Sequence, residues 1–213
     1  PPPLPKAASL LPRLRGAIGR AAIACGAPSH WLLDWRDTAD ARAISDDARL
    51  SDWAGRGVAT PDHVIRTKAQ PLVLPPDPDD AGIERALQAY IDAYCGYFDR
   101  QNLRVGGHKR RLDPLPRLLA VPGLGLIGLG ASAEAAAITA DIGEAWARTL
   151  LAAESIGRFA PVGEDDTFDM EYWSLEQAKL GKGGAKPLAR QVVLITGGGG
   201  GIGAAPAAGD QHH

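Results

Sequence analysis

A chain of 213 residues, 45% apolar and 23% charged, has material for a sizeable buried core in one domain or one domain with extensions. Its formal charge of −2 offers no basic surplus for nucleic acid or a membrane surface, and the uncharged run 118–133, broken by Pro122 and four glycines, is too short and too interrupted to cross a bilayer. Cys25 and Cys95 form no Cys-x-x-Cys pattern, and Pro1-Pro2-Pro3-Leu4-Pro5-Lys6 has no apolar signal-peptide core, so reduced thiols and a cytoplasmic location are the expectation.

Residues 1–8 read as a mobile, proline-rich lead-in. Leu10, Leu11, Leu14, Ile18, Ala21 and Ala22 recur at helical spacing, which predicts a helix over 8–24 with Pro12 in its first turn. A strand is expected at 30–35, around Trp31, Leu32 and Leu33. Short helices follow over 37–57, with Trp53 docked on the core. Thr60 and Pro61 suit the N-cap and first position of another helix. A short strand at 71–74 is closed by Pro75-Pro76. The aspartates 77, 79 and 80 then cap a helix over 80–99, whose stripe is Ile83, Leu87, Tyr90, Ile91, Tyr94 and Phe98. That aromatic stripe belongs to the core or to a subunit interface.

Residues 100–116 read as a basic loop with His108, Lys109, Arg110 and Arg111. It lacks the broad basic face or interleaved aromatics that nucleic acid requires. Apolar strands at 117–121 and 124–129 flank Pro122-Gly123. An alanine-rich helix over 132–157 turns Ile138, Ile142, Trp146, Leu150 and Ala153 inward. Residues 158–189 read as irregular apart from a short helix at 175–180, with Tyr172 and Trp173 pinning the segment to the domain. Gly181-Lys182-Gly183-Gly184-Ala185-Lys186-Pro187 is a linker.

The C-terminal stretch is the most distinctive. Val192–Ile195 suit a strand covered on both faces, and Thr196-Gly197-x-x-x-Gly201-x-Gly203 turns the backbone tightly enough to approach a ligand. A helix opening at Gly201 and Ile202 would aim its free N–H groups at a pyrophosphate. The remainder, with Pro206 and many small residues, has no helical period and no second strand. The dinucleotide-binding sheet is therefore expected to be truncated after its first strand.

This strand and turn resemble the Thr-Gly-x-x-x-Gly-x-Gly opening of short-chain dehydrogenases. The segment 169–180, Asp-Met-Glu-Tyr-Trp-Ser-Leu-Glu-Gln-Ala-Lys-Leu, stands just before it. With Thr-Pro-Asp-His-Val-Ile-Arg-Thr-Lys at 60–68 and Val-Pro-Gly-Leu-Gly-Leu at 121–126, the chain from about Ser9 to Gly203 resembles bacterial fusions of a class II aldolase/adducin-type domain with a short-chain dehydrogenase. The resemblance implies rhamnulose-1-phosphate aldolase and lactaldehyde dehydrogenase chemistry in the parent, acting on a sugar phosphate and a small aldehyde with NAD or NADP. It implies an α/β fold: an aldolase-associated domain over 9–160, a connecting segment over 161–189, and the start of a Rossmann-type domain over 190–213. Thr196, Gly197, Gly201, Ile202 and Gly203 would be its cofactor-binding residues.

The sequence departs from that family in what catalysis needs. No His-x-His pair for a divalent metal is present, and His30, His63 and His108 lie far apart. Pro122-Gly123 stands where a strand resembling the aldolase Asn-His-Gly region would carry its histidine, as in a metal-free second copy of an aldolase-like half. No Tyr stands four before a Lys, as the dehydrogenase pair would require. The expectation is that this chain has no catalytic residues and no metal, binds no cofactor, and is inactive alone.

One other cluster, Asp62, His63, Arg66 and Lys68, has two readings. Arg66 and Lys68, with His63, could grip a phosphate or other anion near a helix start. The plainer reading is an Asp62–Arg66 surface pair and a packed His63. Two other functions stay open: a stand-alone small-molecule or homo-oligomeric assembly module, and a small enzyme using Asp62 and His63 as acid and base.

Overall fold

The computed structural model describes residues 7–60 and 63–173. Thr196, Gly197, Gly201, Ile202 and Gly203, the linker at 181–187 and the helix expected at 175–180 lie outside the described residues, as does Asp62.

The described chain forms a mixed α/β domain: seven helices around a four-stranded sheet. In chain order these are α1 (Ala7–Ala24), β1 (Leu32–Arg36), α2 (Ala39–Ser45), α3 (Leu50–Arg56), α4 (Val64–Thr67), β2 (Leu72–Val73), α5 (Asp80–Arg104), β3 (Leu118–Val121), β4 (Gly125–Gly130), α6 (Ala133–Ile156) and α7 (Glu164–Glu171). The strand order is β1-β4-β3-β2. β4 runs antiparallel to both neighbours, with Leu32 opposite Gly130 and Leu118 opposite Gly128. β2 joins β3 in parallel.

Period-two alternation sorts the strands between two apolar layers. Leu119, Val121, Ile127 and Leu129 face one way, onto Leu10, Leu14 and Ile18 of α1 and Ile83, Leu87 and Ile91 of α5. Leu118, Ala120 and Leu126 face the other way, onto Ile44 of α2, Trp53 of α3 and Trp146 and Leu150 of α6. Covered on both faces, β3 and β4 are buried along their whole length. The turn between them uses Gly123 and Gly125 at φ 80° and 113°, and Asp46, just past α2, accepts from the Gly123 N–H at 2.6 Å.

Several elements differ from the expectation. α1 begins at Ala7, so Pro12 sits in its second turn. β1 begins at Leu32, two residues later than expected, with Trp31 buried just before it. The helix expected from Thr60 starts at Val64, with His63 at the N-cap position making no side-chain cap; the Thr60 carbonyl accepts from the His63 N–H instead. α5 continues to Arg104, through part of the expected basic loop.

The inward face of α6 also differs: Ala136, Thr139, Ala140, Gly143, Trp146, Ala147 and Leu150 are buried, while Ile138 and Ile142 are only half-buried. Contact distance decides this. A Cβ on Gly128 of β4 would lie 2.5 Å from the Ala136 carbonyl oxygen, and one on Gly143 would lie 2.5 Å from a Leu118 methyl. The small residues let helix and sheet approach, and the isoleucines are displaced to the flanks. Finally, 164–171 is helical rather than irregular. Phe168 and Tyr172, one turn apart, dock there against Tyr94, Tyr97 and Phe98 of α5.

Among the described residues no helix is long and apolar enough to cross a membrane.

Candidate functional site

The densest chemistry lies where α4, α5 and α7 meet, beyond the end of the sheet marked by Gly130 and Trp31. Lys68 ends α4 in the left-handed region (φ 60°), with its N–H bonded to the Val64 carbonyl at 2.9 Å. That backbone turn sends the side chain inward, where the residue is 4% exposed. Its ammonium nitrogen lies 3.9 Å from the centre of the Tyr94 ring and 3.6 Å from a carboxylate oxygen of Glu171. The ring face and the carboxylate are two partial replacements for lost water.

Glu171 is the hub. It is 1% exposed and accepts from the Tyr94 hydroxyl at 2.8 Å and the Tyr97 hydroxyl at 3.1 Å. The Tyr94 and Tyr172 hydroxyl oxygens are 2.7 Å apart, and the Leu112 N–H reaches the Tyr172 oxygen at 3.3 Å. One set of protons satisfies the network: Leu112 donates to Tyr172, Tyr172 to Tyr94, and Tyr94 and Tyr97 to Glu171. The supposed basic loop serves the same cluster. Lys109 donates to the Tyr172 carbonyl at 3.1 Å, and Arg111 lies over Phe98.

Burial sets the electrostatics. It pushes the Lys68 ammonium from 10.5 down to about 8, against the upward pull of Glu171. Burial, reinforced by the Glu171 carboxylate, pushes the Tyr94 and Tyr97 phenols far above their usual range and Tyr172 up to about 12. Asp113 also loses water, which works to raise it. The Arg117 guanidinium at 2.6 Å and the nearby Lys68 outweigh that loss, so its carboxyl titrates below the usual range.

A cavity of about 290 Å³ opens beside Lys68. Arg66, Lys68, Asp113, Arg117 and Glu171 supply its charged walls, with Thr139 of α6 and Trp31 opposite. Arg117 lies 4.5 Å over the Trp31 ring and donates to the Leu115 carbonyl at 2.9 Å. A second cavity, about 380 Å³, lies on the other side of Tyr94 and Tyr97. Its charges are matched internally: Arg100 pairs with Glu164 at 3.0 Å, and Arg56 with Glu154 at 2.7 Å.

The structure thus brings together two of the three residues read from the sequence as an anion site. Arg66 and Lys68 share the 290 Å³ cavity. His63 does not line that cavity; it borders a small void of about 10 Å³ between α4 and α6 that Lys68 also lines, with Thr67, Leu118 and Trp146. Asp113, Arg117 and Glu171 were not foreseen. Their distance from Lys68 in sequence hides them, although Glu171 next to Tyr172, one turn beyond Phe168, is a local sign of a carboxylate drawn into an aromatic face. Among the described residues no group of three His, Cys, Asp or Glu could hold a metal ion. Cys25 and Cys95 are free thiols.

Comparison with known proteins agrees with this α/β architecture. The chain is 27% identical over 208 residues to the uncharacterized oxidoreductase YuxG of Bacillus subtilis (strain 168). The match covers 93% of this chain but 28% of that relative, so the chain spans less than a third of the curated protein it resembles. No solved structure matches it significantly. The family model for the second domain of class II aldolases matches residues 5–180, which take in every described helix and strand, and the chain belongs to that family.

Proposed function

We propose that these residues serve a bifunctional enzyme of sugar catabolism, one that joins a class II aldolase to a short-chain oxidoreductase. In this reading residues 5–180 form the accessory second domain of the aldolase half, and 190–203 open the oxidoreductase half. The family match carries the proposal. It is supported by the name of the B. subtilis relative, an oxidoreductase, and by the apolar run 192–195 and the glycine-rich sequence 196–203 that follow the matched region.

In the parent, Thr196, Gly197, Gly201, Ile202 and Gly203 would cradle the pyrophosphate of NAD or NADP. The substrates would be a sugar phosphate and the small aldehyde it yields, as in rhamnose-type breakdown, handled in the cytoplasm. The 213-residue chain alone carries neither activity. A dinucleotide site takes about six strands to build, and the metal-dependent step belongs to histidines supplied elsewhere in the parent.

Titration of the chain with NAD and NADP, read by thermal shift, should leave the melting temperature unchanged; stoichiometric capture of either would overturn the inactivity. The wider reading is tested at the gene. A coding region that continues in any frame through further strands and a Tyr-x-x-x-Lys pair is expected. Its absence downstream would remove the oxidoreductase half.

A further inference from the structure

We infer that the 290 Å³ cavity beside α4 is a binding site for a small hydroxylated anion: a compact molecule with one carboxylate or phosphate group and several hydroxyls. The inference goes beyond the bifunctional reading and does not require it.

The charge balance of the walls carries it. Three cations and two carboxylates line the space. Arg117 is committed to Asp113 at 2.6 Å, and Lys68 to Glu171 at 3.6 Å. Arg66 is the remaining cation. It is half-buried and, among the described residues, makes no hydrogen bond or ion pair. A guanidinium in a concave, partly dehydrated setting has two parallel donors to offer, and one carboxylate or phosphate matches them. Lys68 and Arg117 lend their field to the same space, where the dielectric is lower than in water.

Groups that accept from hydroxyls stand beside it. The Thr139 hydroxyl donates within α6 and to β4, at 3.0 Å to the Ala135 carbonyl and 3.3 Å to the Leu129 carbonyl, which leaves its oxygen able to accept. The Asp113 oxygens each accept one bond, from the Leu115 N–H and from Arg117, and keep further lone pairs, so Asp113 adds acceptors on the cavity wall. Trp31, Val64 and Leu129 give an apolar side for a carbon skeleton. The size selects as well: small-molecule sites run from about 300 to 1,000 Å³, so this one suits a molecule of a few carbons and not a dinucleotide.

Isothermal titration of the full chain with four probes tests it: glycerol 3-phosphate, glycerate, inorganic phosphate and glycerol. One or both of the first two should bind, one molecule per chain. Glycerol should not bind, and inorganic phosphate should bind more weakly. The stronger of the first two identifies the anionic group. Arg66→Ala should weaken that binding at least ~10-fold, the equivalent of one charge-assisted hydrogen bond, with an unchanged melting temperature because Arg66 holds no structural partner among the described residues. Arg148→Ala, a change on the exposed face of α6, should leave binding intact. The site is refuted if neither hydroxylated anion binds, if Arg66→Ala binds as well as the parent chain, or if inorganic phosphate binds as tightly as glycerol 3-phosphate.

Discussion

The two halves of α5 obey the same helical period and bury different chemistry. Toward its N-terminus Ile83, Leu87 and Ile91 face α1 and the sheet. Toward its C-terminus Tyr94, Tyr97 and Phe98 face α7. The first half asks only for apolar neighbours, and any well-shaped set would serve. The second half buries phenol hydroxyls, and these set up a chain of obligations. The hydroxyls need an acceptor, Glu171 supplies it as a buried carboxylate, and that carboxylate needs the cation of Lys68. Apolar packing degrades one contact at a time. A buried polar network fails as a unit.

Removing the hub gives the largest expected effect. Glu171→Leu strands the Lys68 ammonium and two phenols, and should cost about 3–5 kcal/mol in urea denaturation, the usual penalty for breaking a buried pair from one side. Leu87→Ala in the first half should cost a comparable 2–5 kcal/mol, roughly, by leaving a cavity. The sizes overlap, so rescue separates the mechanisms. Lys68→Met should recover most of the loss in the Glu171→Leu background, because it removes the stranded charge, and should recover none of it beside Leu87→Ala. Strict additivity of Glu171→Leu and Lys68→Met would mean that the two charges do not depend on each other.

The same contrast explains what could be read in advance. The aliphatic stripe of α5 and the two-faced strands β3 and β4 were visible because burial repeats at a fixed period along one segment. A strand near each observed one followed from that, while the α/β class followed from the family resemblance. The inner face of α6 is hidden from a reading by side-chain size, because Ala136, Ala140 and Gly143 are buried for being small. The polar centre was half visible. Arg66 and Lys68 stood out as cations near a helix, but nothing local marks Lys68 as a buried residue. Its partner lies about a hundred residues on, in a segment that looked irregular, and its conformation depends on a left-handed turn at a residue type that seldom adopts one.

A pH series sharpens the comparison at a somewhat smaller amplitude. Folding lowers the Lys68 ammonium from 10.5 to about 8. Between those values the unfolded chain therefore holds the extra proton, and stability should rise with pH across that window. The full gain corresponds to about 3 kcal/mol. The tyrosines act in the opposite sense. Their folded values are raised, so the folded state keeps protons that the unfolded state loses, and stability falls above about pH 10. Stability should thus rise from about pH 8 and crest near, or just below, about pH 10. Lys68→Met should flatten the rising limb and leave the falling limb, as read by urea midpoints across pH. A parent profile already flat between pH 8 and 10 would show that Lys68 is not desolvated.

The smallest effect belongs at the start of α5. Asp79 is its N-cap, and its carboxylate accepts from the Gly82 N–H at 2.6 Å. Asp79→Ala should cost ~1 kcal/mol and fray only the first turn, since the side chain is three-quarters exposed and the aliphatic half has no polar chain through which to pass the loss on. Hydrogen exchange should quicken near Gly82 and Ile83 while the alkaline tyrosine titration stays where it was. If that titration moved with the cap, the two halves of the helix would be one cooperative unit, and the separation between packing and polar obligation along α5 would not hold.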